Sequence, residues 1–151
     1  MIKNCSPQNL VKKSIVEANL NLAIFMDNEL IYSDTMTGIS PIFNFVKENL
    51  NNLKNLKNLY IGDRIVGKAG AMLISLLKPK YVYAHILSKS GKEILERYKI
   101  DFEFDTLTNY IINRDKTGLC PFENAVLNVS DPLTAISIIE ETLKKLKESK
   151  T

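Results

Sequence analysis

The sequence predicts an α/β domain: a mixed sheet of about five strands held between helices as a three-layer α/β/α sandwich. Helix-start signals alternate with short apolar runs of strand length along most of the chain. The first two such runs flank a tight-turn sequence, so the sheet opens with a hairpin. Later runs are separated by helical segments, and two of them stand together before a last helix. That succession describes a mixed sheet covered by helices.

Ser6 and Pro7 open the first helix, because the hydroxyl accepts from an orphan N–H and proline presets φ. Leu10, Val11, Ile15 and Ala18 mark one face of a helix over about residues 7–19. From Asn21 the period changes. Leu22 to Met26 and Leu30 to Tyr32 flank Asp27-Asn28-Glu29, where Asp and Asn tolerate the positive φ of a hairpin turn. After Gly38, Ser40-Pro41 repeats the helix start, and Ile42, Phe43, Val46 and Leu50 follow at helical spacing. The Asn/Lys/Leu-rich stretch Asn49 to Asn58 reads as a helix end and connector, packed down through Leu50, Leu53, Leu56 and Leu59.

Leu59-Tyr60-Ile61 reads as a short buried strand running into a turn from Gly62 to Gly70. Ala71 to Leu77 is apolar nearly all round, as in a helix buried on a sheet, and Pro79 ends it. Tyr81 to Ile86 is a continuous strand-like run, as in a strand covered on both faces. Ser88 to Tyr98 reads as a helix with Ile94, Leu95 and Tyr98 inward, and Asp101 to Asp105 and Tyr110 to Asn113 as two more strands. Asp131-Pro132 opens the last helix, over about residues 132–148, with a stripe of Leu133, Ile136, Ile139, Leu143 and Leu146. Its Lys144, Lys145 and Lys147 lie near the negative end of the helix dipole.

A chain of 151 residues has length for one core and too little for two, so residues 1–151 are read as a single domain with its body over about residues 20–132. Hydrophobic and charged contents of 45% and 25% match an ordinary globular chain, so neither disorder nor a fibrous class is needed to explain them. No apolar run approaches the roughly 18 residues of a membrane span, and no apolar region follows the first lysine as a secretory signal requires. With only Cys5 and Cys120, a reduced, cytoplasmic setting is expected. The net charge of +3 is mild and its lysines are dispersed, which argues against nucleic acid as a partner.

Three segments together carry a resemblance: Ile61-Gly62-Asp63-Arg64-Ile65-Val66-Gly67-Lys68-Ala69, then Tyr83-Ala84, then Ile112-Asn113-Arg114-Asp115 leading to Cys120-Pro121-Phe122-Glu123. They resemble a bacterial and archaeal domain family of unknown function whose structures are cytidine-deaminase-like in fold. The resemblance covers roughly Leu20 to Pro132 and implies the same fold here. Deaminases of that superfamily hold zinc with H-x-E, or Cys in place of His, opening one helix and P-C-x-x-C opening the next; the metal activates water and the glutamate moves protons. In this sequence Lys68-Ala69-Gly70 stands in the first place and Ser88-Lys89-Ser90-Gly91 in the second, with no imidazole, thiol or carboxylate. The chain's one His and two Cys are not at ligand spacing, so no metal and no cofactor are expected and zinc deamination is disfavoured. A mixed site would require Cys120, His85, Asp63 or Glu123 to be brought together by folding.

Two motifs remain as candidate sites. Gly62-Asp63-Arg64 and Gly67-Lys68-Ala69-Gly70 place small residues and charges at a strand-to-helix turn, where backbone N–H groups and the helix dipole favour an anion. The spacing approaches a phosphate-binding G-x-x-x-x-G-K loop, but Ala69 replaces the hydroxyl residue that binds magnesium. On this reading Gly62, Asp63, Arg64, Gly67 and Lys68 bind ligand, with Arg64 and Lys68 as the cationic contacts. On the alternative reading the glycines supply positive φ, Asp63 caps a turn, and the two cations lie in solvent.

Cys120-Pro121-Phe122-Glu123 has the form of a helix start, with Glu123 placed to reach back as in a capping box. A thiolate there is stabilised by the helix N-terminus and is a candidate nucleophile or redox-sensitive group; a buried apolar cysteine is the alternative. His85 reads as a satisfied core histidine, and Asp115 and Glu123 as turn and cap residues. Cys5 has no assigned role.

These readings lead to a small-molecule-binding domain whose ligand is anionic or nucleotide-like, held by the Gly62 to Gly70 segment with Glu123 alongside. A second possibility is an enzyme with Cys120 as nucleophile and Asp63 or His85 as acid or base. A third is an interaction module that forms homo-oligomers through the Leu-rich connector or the last helix.

Overall fold

The computed structural model describes residues 6–113, 116 and 118–149. Five strands form one sheet: β1 (Leu22–Met26), β2 (Glu29–Asp34), β3 (Leu59–Val66), β4 (Tyr81–Ser88) and β5 (Asp101–Thr108). Their order across the sheet is β2-β1-β3-β4-β5. β1 runs antiparallel to both β2 and β3, whereas β3, β4 and β5 are mutually parallel. The sheet is therefore mixed, and the molecule is an α/β fold. The hairpin turns where the sequence predicts, with Asp27 at a φ of 53°.

Helix α1 (Pro7–Val16) starts as expected, with Ser6 Oγ accepting from the Asn9 N–H at 3.2 Å. It stops at Val16, short of the predicted residue 19; Asn19 takes a φ of 58°, and Ala18 is exposed. α1 lies on the sheet face where Val11 and Ile15 pack with Ala23, Phe25, Tyr81 and Tyr83. Gly62 sits beneath it, inside β3: a Cβ there would come within 2.9 Å of Ile15 Cγ1 and 3.0 Å of the Val11 carbonyl oxygen. The glycine is required by this close approach and not by a turn, and its φ is not positive.

Alternate strand residues point the other way. Leu22, Ile24, Ile61, Val82 and Ala84 join the larger core with α2 (Ser40–Asn49), α3 (Lys68–Leu76), α4 (Lys89–Arg97) and α6 (Pro132–Ser149). The connector forms a 3₁₀ turn, Leu50–Asn55, and Leu50, Leu53 and Leu56 pack partly buried on the core as the sequence predicts. α3 is buried over seven consecutive residues from Ala69 to Ser75, as an all-round apolar helix must be.

Several expectations are corrected. β3 extends through Gly62, Asp63 and Arg64, so these residues belong to a strand and not to a turn; only Gly67 separates β3 from α3. α3 opens at Lys68, before the predicted Ala71. Tyr110 to Asn113 adds no strand to the sheet. β5 runs on to Thr108 and forms its edge, leaving Ile112 in an isolated bridge to Leu119. Tyr98 caps the end of α4 and is exposed, and Leu133 in the α6 stripe is 61% exposed. Among the described residues, no helix is long and apolar enough to cross a membrane.

Candidate functional site

Arg64 and Lys68 diverge. Arg64 projects to the α1 side, where its Nε donates to Asn21 Oδ1 at 2.7 Å and its Nη2 donates to the Ile15 carbonyl at 2.6 Å and the Leu20 carbonyl at 3.0 Å. It ties the carbonyls at the end of α1 and in the following turn to the sheet, closing groups that an ended helix leaves without partners. Arg64→Ala is therefore expected to cost about 2–3 kcal/mol of stability, measured as a shift in the urea midpoint, because part-buried carbonyls lose a charge-assisted donor. Arg64→Lys should recover only part of the loss, since an ammonium does not reproduce the planar fork.

Lys68 opens α3 at the other side of the sheet, and here the two sequence motifs meet. α5 (Pro121–Ala125) carries Glu123 into the core with 8% of its surface exposed. Glu123 Oε1 accepts from the Lys68 N–H at 2.6 Å, and Oε2 accepts from the Ala69 N–H at 2.9 Å. The sequence predicts that Glu123 caps its own short helix. It caps α3 instead, placing an anion on orphan N–H groups at the positive end of the dipole. Burial pushes the Glu123 carboxyl above its usual range, opposed by the hydrogen bonds from Ala69 and Lys68. Gly67 makes the contact possible, because a side chain there would occupy the space of the Glu123 carboxylate.

α4 opens against the same point. Ser88, fully buried, caps it by accepting from the Gly91 N–H at 3.0 Å. A Cβ on Gly91 would lie 3.0 Å from the backbone carbon and oxygen of Gly67, so the two helix openings touch through glycines. Beside them lies a cleft of ≈ 230 Å³ whose lining includes Lys68, Ser90, Arg97, Tyr110, Glu123 and Leu127. Lys68 Nζ donates to the Leu127 carbonyl at 2.9 Å, and Arg97 Nη1 reaches the Ser130 carbonyl at 3.5 Å.

Asp63 is set apart from this contact, buried in β3 between its partners Leu22 of β1 and Ala84 of β4. Desolvation pushes its pKa up to about 8, against hydrogen bonds from the Ile65 and Arg64 backbone. Cys120 occupies the N-cap of α5, half-buried and without a side-chain capping bond. Arg114 and Asp115 of the second motif, and Cys5, lie outside the described residues.

His85 is half-exposed on β4, not in the core, with Nδ1 3.0 Å from Asp105 Oδ2. Tyr83 OH donates to the same oxygen at 2.5 Å, and this bond is the main cause that holds Asp105 below the usual carboxylate range. The pairing of Tyr83 and His85 with Asp105 and the place of Arg97 beside the cleft were not predicted from the sequence. Alternate spacing of Tyr83 and His85 on a strand was the signal for the cluster; Arg97 carried none beyond its place in a helix.

Fold and site together define an α/β domain with a mixed five-stranded sheet, in which two helix openings meet beside a small cleft of mixed polar and apolar lining. The family model TM1506, domain of unknown function (DUF1893), matches residues 10–143, and the chain belongs to that family. The crystal structure of a DUF1893 family protein (TM1506) from Thermotoga maritima is similar, with a TM-score of 0.77 at 26% sequence identity over 89% of this chain and 90% of that one. No functionally curated protein matches the sequence.

Proposed function

We propose that the chain is a small-molecule-binding domain of cytidine-deaminase-like, three-layer α/β/α fold, which takes an anionic or nucleotide-like ligand in the cleft beside the α3 and α4 openings. α1 on one sheet face and α2, α3, α4 and α6 on the other support the layering. The meeting of Gly67 and Gly91 carries the site reading, since it sets the openings of α3 and α4 side by side, where deaminase-like domains bind substrate. The volume of ≈ 230 Å³ is below the usual range for drug-sized ligands and suits a small acid or the phosphate end of a larger molecule.

Glu123 already takes the Lys68 and Ala69 N–H groups, so the ligand's charge would be met by the Lys68 ammonium and the Arg97 guanidinium. Zinc does not fit this set. The openings of α3 and α4 present Lys68-Ala69-Gly70 and Ser88-Lys89-Ser90-Gly91, and among the described residues no three His, Cys, Asp or Glu side chains converge as metal ligands. The reading therefore excludes zinc-dependent deamination.

Titration of the intact chain with inorganic phosphate at low salt, followed by calorimetry, tests it. Saturable binding weakened about tenfold by Arg97→Ala, an exposed position where folding is retained, is the expected result. Equal binding by both proteins, or none, rejects the cleft as an anion site.

A further inference from the structure

The two edges of the sheet are built differently. At one end, β2 is six residues long and its pairing with β1 shifts register between Ile24 and Phe25. Irregularities of this kind protect an edge from pairing with another chain. At the other end, β5 is eight residues long and follows β4 in unshifted parallel register from Asp101 to Thr108. It contains no proline, lysine or arginine and packs on β4 and α4, and among the described residues no strand lies on its outer edge. A long, regular edge of this sort presents a row of backbone N–H and C=O groups to an incoming strand.

The side chains select what can pair there. Asp101, Glu103 and Asp105 are exposed on one face of β5, alternating with Phe102 and Phe104, which pack against the core. On that face Lys12 Nζ lies 3.8 Å from Glu103, and the Tyr83 hydroxyl and His85 Nδ1 both contact Asp105 Oδ2. A second copy of β5 laid along this edge would oppose carboxylate to carboxylate, which is destabilising for directly facing pairs. A strand with lysine or arginine at every second position would face the three carboxylates, and its intervening residues would extend the Phe102–Phe104 side.

From this we infer that the β5 edge is a docking site for an extended, basic segment of another protein, added as a sixth strand. Hydrogen–deuterium exchange on the intact chain tests the inference, with a short peptide alternating lysine and valine as the probe at low salt. The peptide is expected to protect amides within Asp101–Thr108, and raised salt is expected to remove that protection. Asp101→Lys combined with Glu103→Lys, both at exposed positions, should weaken binding about tenfold or more. Protection of any other segment, undiminished binding by the double variant, or no binding overturns the proposal. Protection of β5 that rises with protein concentration in the absence of peptide also overturns it, by showing a second copy as the occupant.

Discussion

Gly67→Ala is expected to destabilise the domain by about 2–4 kcal/mol, a large effect for the addition of one methyl group. Backbone conformation is not the reason, because Gly67 has φ −103° and ψ −166°, an extended geometry open to any residue. The methyl carbon would fall 2.7 Å from Glu123 Oε2 and closer still to Oε1 and the carboxylate carbon. Glu123 must then leave the Lys68 and Ala69 N–H groups, or α5 must shift. Glu123→Ala alone should cost about 1–3 kcal/mol, since two N–H groups at a helix opening lose their acceptor. The two losses have one cause, so the double variant is expected to be less destabilised than the sum of the singles by at least about 1 kcal/mol. Urea denaturation of the four proteins gives the coupling directly. Strict additivity would show that Gly67 is not shaped around Glu123.

The second large effect is a fall in stability with rising pH. Asp63 ionises near 3.8 when exposed and near 8 in the folded chain. The folded state therefore holds the proton more tightly, and unfolding releases it. The stabilisation is full below about pH 4, declines as pH rises through the interval, and is lost above about pH 8. The whole span is on the order of 3–5 kcal/mol once local relaxation of a buried charge is allowed for. Glu123, also raised by burial, adds a contribution of the same sign. Asp105 and Asp131 act in the opposite sense, because their depressed pKa values withdraw stability only when the pH falls through the acidic range.

Asp63→Asn is expected to flatten the decline between pH 5 and 8 and to raise the melting temperature at pH 8 relative to the parent, because the amide stays neutral. Thermal melts of both proteins across that interval decide the matter. Parallel curves would show that Asp63 titrates normally and that the slope arises elsewhere.

The alternation of helix-start signals with apolar runs made the α/β class legible, and local chemistry placed the element starts. Ser6-Pro7, Ser40-Pro41 and the Asp27 turn all act within a few residues of chain, where hydrogen bonding and φ preference dominate. Errors arose where a residue's role depends on a distant neighbour. Gly62 resembles a turn glycine in sequence, yet it lies in a strand because α1 crosses it at Val11 and Ile15. Tyr110 to Asn113 has the composition of a strand, but among the described residues it forms an isolated bridge from Ile112 to Leu119 instead of joining the sheet.

The candidate site divides in the same way. The sequence by itself determined which chemical groups are present: a lysine at a helix opening, a glutamate after Pro121, a histidine and two cysteines without metal-ligand spacing. Tertiary structure alone decided that Arg64 serves α1 while Lys68 serves the cleft: β3 runs on through Arg64 and turns its side chain to the α1 face, whereas Lys68 lies beyond the strand, at the start of α3. It also decided that Glu123 caps a helix 54 residues earlier in the chain rather than its own. A hydrogen bond depends on position in space, and only the packing of α5 beside α3 brings the carboxylate to those N–H groups.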